Sequence, residues 1–390
     1  MCLCGDSCCL SRETSQVVAM VEEVPRTVKR VPVVWSVLIS VALLTGLGLL
    51  VWQMGRLREA MGPQMEAKLK SDERYFGAWT GVPQLDGVLK MVHLVFTEYF
   101  LLKPINYWFL EVWIMPCTAL IFFQSIDFDR LSMRFVPFYV FLYQYVGIGI
   151  VWPLAMIYYL YHRNSHSGRF PGGSTPARVL IMGFSSIGSA VLLAALPTLD
   201  RNSAIYFWTV NVFLLLPVVL PLLTYAISSE TAPRSAPESA RGQRYENHVY
   251  AFIAGISFLL YWRFLPYLIQ HYVVPNFATA STASSAQQLS QFALNTLQSI
   301  WSDIDFNQVQ TFLLFDCLSS VIVIVSFFLM DGGLLLTLFT IAACPIISPG
   351  AAVAIYLLRR ESNLYGTATG YWSTTHLPSP PPTTAARKHQ

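Results

Sequence analysis

The chain has 390 residues, of which 54% are hydrophobic and only 12% are Asp, Glu, Lys or Arg, and its formal net charge is +3. Soluble domains carry roughly 25% charged residues, so this composition describes a polytopic membrane protein. A charge this small, scattered over short segments, argues against a nucleic-acid binder and leaves the basic residues to set membrane topology.

Residues 1–32 are polar and mixed in charge, and a disordered N-terminal segment is expected there, apart from a short helix through Ser15 to Val24. Cys2, Cys4, Cys8 and Cys9 crowd its start, whereas Cys117, Cys317 and Cys344 fall in apolar runs. The terminal cluster lacks a paired CxxC spacing and a neighbouring histidine, so S-acylation or plain exposed thiols fit it better than zinc. Val33 to Trp52 is the first apolar run, and with no small-residue cleavage site after it the run reads as a retained anchor. Gln53 to Arg74 then reads as an exposed, charge-paired connector broken at Gly62-Pro63.

Turn residues between Tyr75 and Asp86 lead into a helical run ending at Leu102. Within it Asp86, Lys90, His93 and Thr97 recur at helical spacing and share one face, with Glu98 beside them. The apolar part, residues 88–102, is short for a crossing. It is either a short or re-entrant span whose polar stripe lines a cavity, or an interfacial helix whose stripe faces water.

Ile105 to Gln124 is long enough to cross a hydrocarbon core of about 30 Å, and it carries Glu111 below the surface. A carboxyl there faces the bundle interior, finds a partner or keeps its proton, and its default reading is a functional site. The competing reading is a headgroup contact or a bond to a neighbouring helix. Asp127-Phe-Asp129-Arg130 follows, half of a diphosphate-binding acidic motif without the DDxxD of magnesium-dependent prenyl chemistry, and it reads also as a solvated loop.

Further apolar runs at about 135–161, 179–197, 205–227, 249–270, 309–330 and 333–358 complete the pattern. The expected fold is an all-α polytopic transmembrane helical bundle over residues 33–358, with eight spans, or nine if residues 88–102 cross. Segments 162–178 and 228–248 carry three arginines each and 271–308 has no Lys or Arg, which places the first two in the cytosol and the last in the lumen. Arg359 and Arg360 then come out luminal, against the rule. Residues 359–390, with Pro378, Pro380, Pro381 and Pro382, are expected to form a disordered tail.

His162 and His166 have the spacing of a metal pair, but the run 135–161, about 40 Å if helical, separates them from Asp127 and Asp129. No metal site or cofactor is expected, and HExxH, Walker and GxSxG motifs do not occur. Asp316 is the second acid well inside a span and pairs with Glu111 as a candidate functional group. Asp331, before Gly332-Gly333, reads as the cap of a tight turn. Arg263 is a buried base that pairs with either acid or packs between helices. Prolines within or beside the spans, Pro116 and Pro153 among them, suggest kinked helices around a cavity.

A protonated carboxyl in a dry aromatic cavity can protonate an alkene or open an epoxide. Trp108, Trp113, Tyr143, Tyr145, Trp152, Trp208 and Trp262 offer π faces for the resulting cation, although singly such residues more often pack or form interfacial belts.

Gly81-Val-Pro83-x-Leu85-Asp86-x-x-Leu89 leading into a helix, the acid-bearing run around Glu111, and FWTVNVFLLLPVVLPLL at 207–223 together resemble fungal transmembrane terpene cyclases of the ascochlorin and macrophorin type. The resemblance covers about residues 75–358. It implies an isomerase or lyase of meroterpenoid secondary metabolism in the endoplasmic reticulum membrane, cyclising a prenylated aromatic or its epoxide by acid-initiated carbocation chemistry without metal. Implied partners are a lipophilic prenylated substrate, membrane lipid and an upstream prenyltransferase or epoxidase. Set beside the burial argument, the expected catalytic residues are Glu111, Asp316, Asp86 and Glu98. The expected cation-stabilising or substrate-binding residues are Trp108, Trp113, Tyr143, Trp208, Trp262 and Arg263. The alternatives are a small-molecule or proton-coupled carrier of the same kind of pathway, and a non-catalytic scaffold.

Overall fold

The structure, a computed structural model, describes residues 31–101, 103–130, 142–143, 147–165, 176–227, 236–279, 285–303 and 308–365. The N-terminal cysteines, Tyr145, His166 and the proline-rich tail lie outside these residues, as do the side chains of Asp127, Asp129 and His162. All regular structure among the described residues is helical.

Helix α1 (Val33–Ser71) runs unbroken through Pro63. The expected connector from residue 53 is therefore a helical extension. Its Glu66–Lys70 pair sits at i,i+4 with 2.6 Å between the charged atoms, and Gln53 and Met65 are buried in the bundle. These contacts outweigh the single backbone bond a proline removes. The helix stops at Asp72, whose carboxylate accepts the Arg74 backbone N–H at 3.1 Å.

Helix α2 (Pro83–Leu94) starts on a proline, as first helical turns favour, and passes into a π-helical turn at Val95–Phe100. The stripe of polar residues on it does not face water. Asp86, His93 and Thr97 are buried beneath the 75–82 loop, and Lys90 reaches back to the Gly77 carbonyl.

Helix α3 (Pro104–Arg130) carries Glu111 and continues through Asp127 and Asp129, so that acidic pair belongs to a helix end and not to a loop. Helices α4 (Ile148–Ser165), α5 (Pro176–Ala195) and α6 (Ala204–Ile227) follow. Helix α7 (Ala236–Arg263) is prolonged by further helical turns to Thr279. Helix α8 (Ser285–Asp303) exposes Leu294, Leu297 and Trp301 at helical spacing.

Gln308–Ile347 forms α9, interrupted at Gly333, whose φ of 76° takes it out of helical geometry. Helix α10 (Pro349–Tyr365) begins after Ser348, which has φ of 87° and caps α10 by accepting the Ala351 N–H on its Oγ at 3.1 Å. The apolar run expected at 333–358 is thus two helices. Helix α10 also continues beyond residue 358, because Arg360 is buried there. Its guanidinium donates to Asp331 and to Glu361, each at 2.6 Å, and lies 4.7 Å from the Phe123 ring centre. Asp331, which also accepts the Tyr356 hydroxyl at 2.9 Å, is an ion-pair partner and not a turn cap. Arg360 is no loop charge and drops out of the positive-inside count, whereas Arg359 beside it is exposed.

Helix α10 packs on α3 and α7, α9 on α1 and α4, and α5 on α3, α6 and α7. Trp152, Tyr159, Tyr250, Phe122, Phe123 and Phe327 fill the core, whereas Val33, Val34, Val37 and Leu38 point outward. Outward apolar surface of this kind suits contact with lipid. Five helices among the described residues are long and apolar enough to cross a bilayer: Val33–Ser71, Pro104–Phe123, Pro176–Thr198, Arg244–Phe277 and Val309–Asp331. The apolar stretches Ile148–Tyr161, Ala204–Leu216 and Gly333–Ile347 are each about 20 Å long, the first two lying within the longer helices α4 and α6. The architecture is an all-α integral membrane protein with five candidate spans, against the eight or nine expected.

Candidate active-site cavity

Helices α1, α2 with its π-helical turn, α3, α4, α5, α6 and α9 surround a cavity of about 310 Å³, a volume at the lower end of small-ligand sites. From α3 the lining residues Leu110, Trp113, Ile114, Cys117, Thr118 and Ile121 recur at i, i+3, i+4 and i+7, one face of the helix. The π-helical turn adds Val95 and Phe96, and Tyr143, Phe213 and Phe312 add further rings. Asp316 is the one carboxylate in this lining, and no Lys, Arg or His accompanies it among the described residues.

Asp316 follows Phe312 by one helical turn on α9, so both turn toward the same space. Its carboxyl is 3% exposed, and its Oδ1 accepts the Gly149 backbone N–H at 2.6 Å. Gly147 has φ of 115°, which turns the chain so that α4 begins with its free N–H groups toward Asp316. A Cβ on Gly149 would stand 2.7 Å from Asp316 Oδ1; only glycine allows this approach. Ser319 Oγ donates to the Gly149 carbonyl at 2.7 Å and completes the α4–α9 clasp. Asp316 Oδ2 accepts no hydrogen bond, and no cation pairs with the carboxyl, among the described residues.

The two expected acids are not brought together. Glu111 is 2% exposed, yet it lies off the α3 stripe that faces the cavity. Its Oε1 accepts from Arg263 Nη2 at 2.7 Å, Arg263 Nη1 donates to the Ala194 carbonyl at 3.0 Å, and Glu111 Oε2 has no partner among the described residues. Arg263 therefore pairs with Glu111 and not with Asp316. Trp108 and Trp262 pack about Tyr261 near this ion pair, with ring centres 6.2 and 5.8 Å from it, and neither lines the cavity. Trp208 is 63% exposed. Of the expected aromatic residues, Trp113 and Tyr143 line the cavity.

Asp86 and Glu98 also stand apart from it. Asp86 accepts the backbone N–H groups of Trp79 at 3.0 Å and Thr80 at 2.7 Å and the Thr80 hydroxyl at 2.6 Å, which locks the turn before α2. The Thr80 hydroxyl, above all, holds this carboxyl below the usual carboxylate range. Glu98 accepts from Arg74 at 2.8 Å and lies 3.9 Å from Lys68 in a partly exposed ion cluster. Behind that cluster the Tyr75 hydroxyl lies 3.2 Å from His93 Nδ1 and 3.4 Å from Thr97 Oγ1. Burial, then the Arg74 charge, pushes His93 down to about 4, and burial pushes the Tyr75 phenol up to about 12.

Phe96, Phe213, Phe312 and the Gly147-Ile-Gly149 turn were not among the expected site residues. The available signal was a Gly-x-Gly in the middle of the apolar run 135–161. Among the described residues no three His, Cys, Asp or Glu side chains gather to hold a metal ion. Compared with known protein families, curated proteins and solved structures, the chain matches none.

Proposed function

We propose that this protein is a membrane-embedded cyclase of the kind the sequence resembles, acting on a prenylated aromatic or its epoxide, with Asp316 as the initiating acid. The observation that carries this reading is a lone carboxyl at the wall of an apolar, ring-lined cavity, held from one side by a single backbone N–H. Asp316 gives its proton to a terminal alkene or epoxide oxygen, and a neighbouring double bond closes a ring onto the cationic carbon. Trp113, Phe96, Phe213 and Phe312 present π faces to the positive charge. The carboxylate left behind, or a cavity hydroxyl such as Thr118, takes the final proton, so that product and substrate are isomers. Glu111 serves structure in this reading, through Arg263.

The three shorter apolar helices cross together with the five longer ones, giving eight spans, in an endoplasmic reticulum membrane. The test is expression of the full chain in microsomes supplied with a farnesylated phenol or its terminal epoxide. A cyclised isomer is expected from the native protein and from Glu111→Gln, and none from Asp316→Asn. An unchanged product profile after Asp316→Asn rejects the assignment.

A carrier is the second reading, favoured by one feature: α4 starts at a glycine break with its N-terminus toward a buried acid, and transporter sites use interrupted helices in this way. Accumulation of unaltered substrate inside proteoliposomes, dependent on Asp316, supports it over cyclisation.

A further inference from the structure

We infer that the Asp316 cavity is a receptor for a monocation carried on an apolar body, and that quaternary ammonium compounds with one aromatic ring are ligands of it. The inference rests on the reading of this cavity as the functional site, though not on cyclisation itself.

The argument begins with charge. An ionised Asp316 places one negative charge in the wall, and no described Lys, Arg or His among the lining residues answers it. A carboxylate inside a membrane bundle needs a compensating partner. Its Oδ1 has only a backbone dipole, from Gly149, and its Oδ2 has no described partner. The remaining compensation is either a proton, as in the resting acid of the cyclase reading, or a cation that fills the cavity and holds the carboxyl ionised.

The rest of the wall selects the body of that ligand. Trp113, Phe96, Phe213 and Phe312 surround the space with rings and Leu110, Ile114 and Ile121 with aliphatic groups. Such a surface rejects a small hydrated cation, whose shell has little to exchange for, and accepts one whose charge is spread over methyl groups. Aromatic faces attract that charge, more so once water is excluded. A carbocation formed by proton transfer from Asp316 has the same electrostatic form, a delocalised positive charge on a greasy skeleton beside a new carboxylate. A stable ammonium ion therefore reports the stabilisation that the cyclase reading requires.

The experiment uses the purified full chain in micelles of a non-ionic maltoside detergent, which neither concentrates cations nor carries an ammonium group of its own. Two probes of one shape are compared, benzyltrimethylammonium and its neutral carbon analogue neopentylbenzene, by calorimetry and by quenching of tryptophan emission. The expected result is at least about a tenfold preference for the ammonium ion, abolished in Asp316→Asn and retained in Glu111→Gln. Phe312→Leu trims one ring without touching the carboxyl and is expected to weaken ammonium binding about threefold to tenfold, which keeps the test valid should Asp316→Asn fold poorly. Equal affinity for the two probes, or ammonium binding unchanged in both Asp316→Asn and Phe312→Leu, overturns the inference. Selective ammonium binding without any cyclised product leaves the inference standing and removes the cyclase reading. Cyclisation that depends on Asp316 without ammonium selectivity does the reverse.

Discussion

The α4–α9 clasp makes a sharp prediction at Gly149. A methyl group there would stand 2.7 Å from both the Oδ1 and the carbonyl oxygen of Asp316 and 2.9 Å from a Leu50 methyl. Two of these atoms belong to a carboxyl already fixed by hydrogen bonding and to helix backbone, and neither can swing aside as the end of a flexible chain would. The substitution Gly149→Ala therefore has to push α4 away from α9 or expel the carboxyl from its seat. Overpacking of this kind costs about 1–3 kcal/mol. Loss of the 2.6 Å bond from the Gly149 N–H leaves a buried acceptor unsatisfied, a further cost of about 1–3 kcal/mol. The helical preference of alanine over glycine offsets at most about 1 kcal/mol.

The three terms together span roughly 1–6 kcal/mol of loss, and about 3 kcal/mol is expected. Gly48→Ala in α1 is the matched control, because a methyl group there meets nothing within 4 Å, and it is expected to gain about 0.5–1 kcal/mol. Both are measured by reversible unfolding of the purified protein in mixed micelles with increasing denaturing detergent, with ammonium binding as the second readout. If Gly149→Ala unfolds at the same detergent fraction as Gly48→Ala and still binds the cation, the close approach between α4 and Asp316 is not as described and the site argument fails with it.

Replacing Arg360 by Met removes the guanidinium shared by the carboxylates of Asp331 and Glu361, and a loss of about 3–5 kcal/mol is expected in the same unfolding assay; a loss below about 1 kcal/mol would mean that the network is exposed to water. Arg263→Met is expected to destabilise through the abandoned Glu111, whereas Arg263→Met combined with Glu111→Gln should recover part of the loss, as a double-mutant cycle will measure. His93 titrates near 4 when folded and near 6.5 when unfolded, so the unfolded chain binds the extra proton first. Its contribution, on the order of 3 kcal/mol, is fully present above pH 6.5 and is lost as the pH falls toward 4. His93→Phe should flatten stability across that window, and a native protein whose unfolding midpoint does not move between pH 7 and pH 4.5 contradicts the burial of this ring. Asp72, held down to about 2 chiefly by its Arg74 hydrogen bond, acts in a separate window and loses its contribution only as the pH falls from 3.8 toward 2.

Polar residues inside apolar runs were legible as buried, and what each one does there was not. Glu111, Asp316 and Arg263 all sit in helices that hydropathy alone identifies and all three were marked as interior groups, which holds for the two acids but not for Arg263, whose side chain is 39% exposed. Hydropathy carries no azimuth, however, and for a helix buried on nearly all sides the apolar periodicity that would supply one is lost. On α3, Leu110 and Glu111 differ by one position, yet one lines the cavity and the other binds Arg263 on a different wall. The stripe on α2 shows the opposite failure. Its shared face was correctly drawn from spacing, but whether that face met water, a cavity or a folded-back loop depended on residues 75–82, whose turn chemistry uses Asp86 as its acceptor. Length was misjudged where punctuation was weak: Gly62-Pro63 did not stop α1, while Ser348, inside the apolar run 333–358, did divide it; the break at Gly333 falls where the two runs were separated. Arg360 was taken for a loop charge because its acids lie 29 residues upstream and one downstream, a separation at which only the tertiary fold defines a partner. What distinguishes Asp316 from the other buried charges is therefore a property of the assembled bundle. Glu111, Asp331 and Glu361 each have an arginine, and Asp86 has a ring of donors. Asp316 has one described donor, the glycine N–H, and an apolar space, and a carboxyl in that condition is where a ligand has something to contribute.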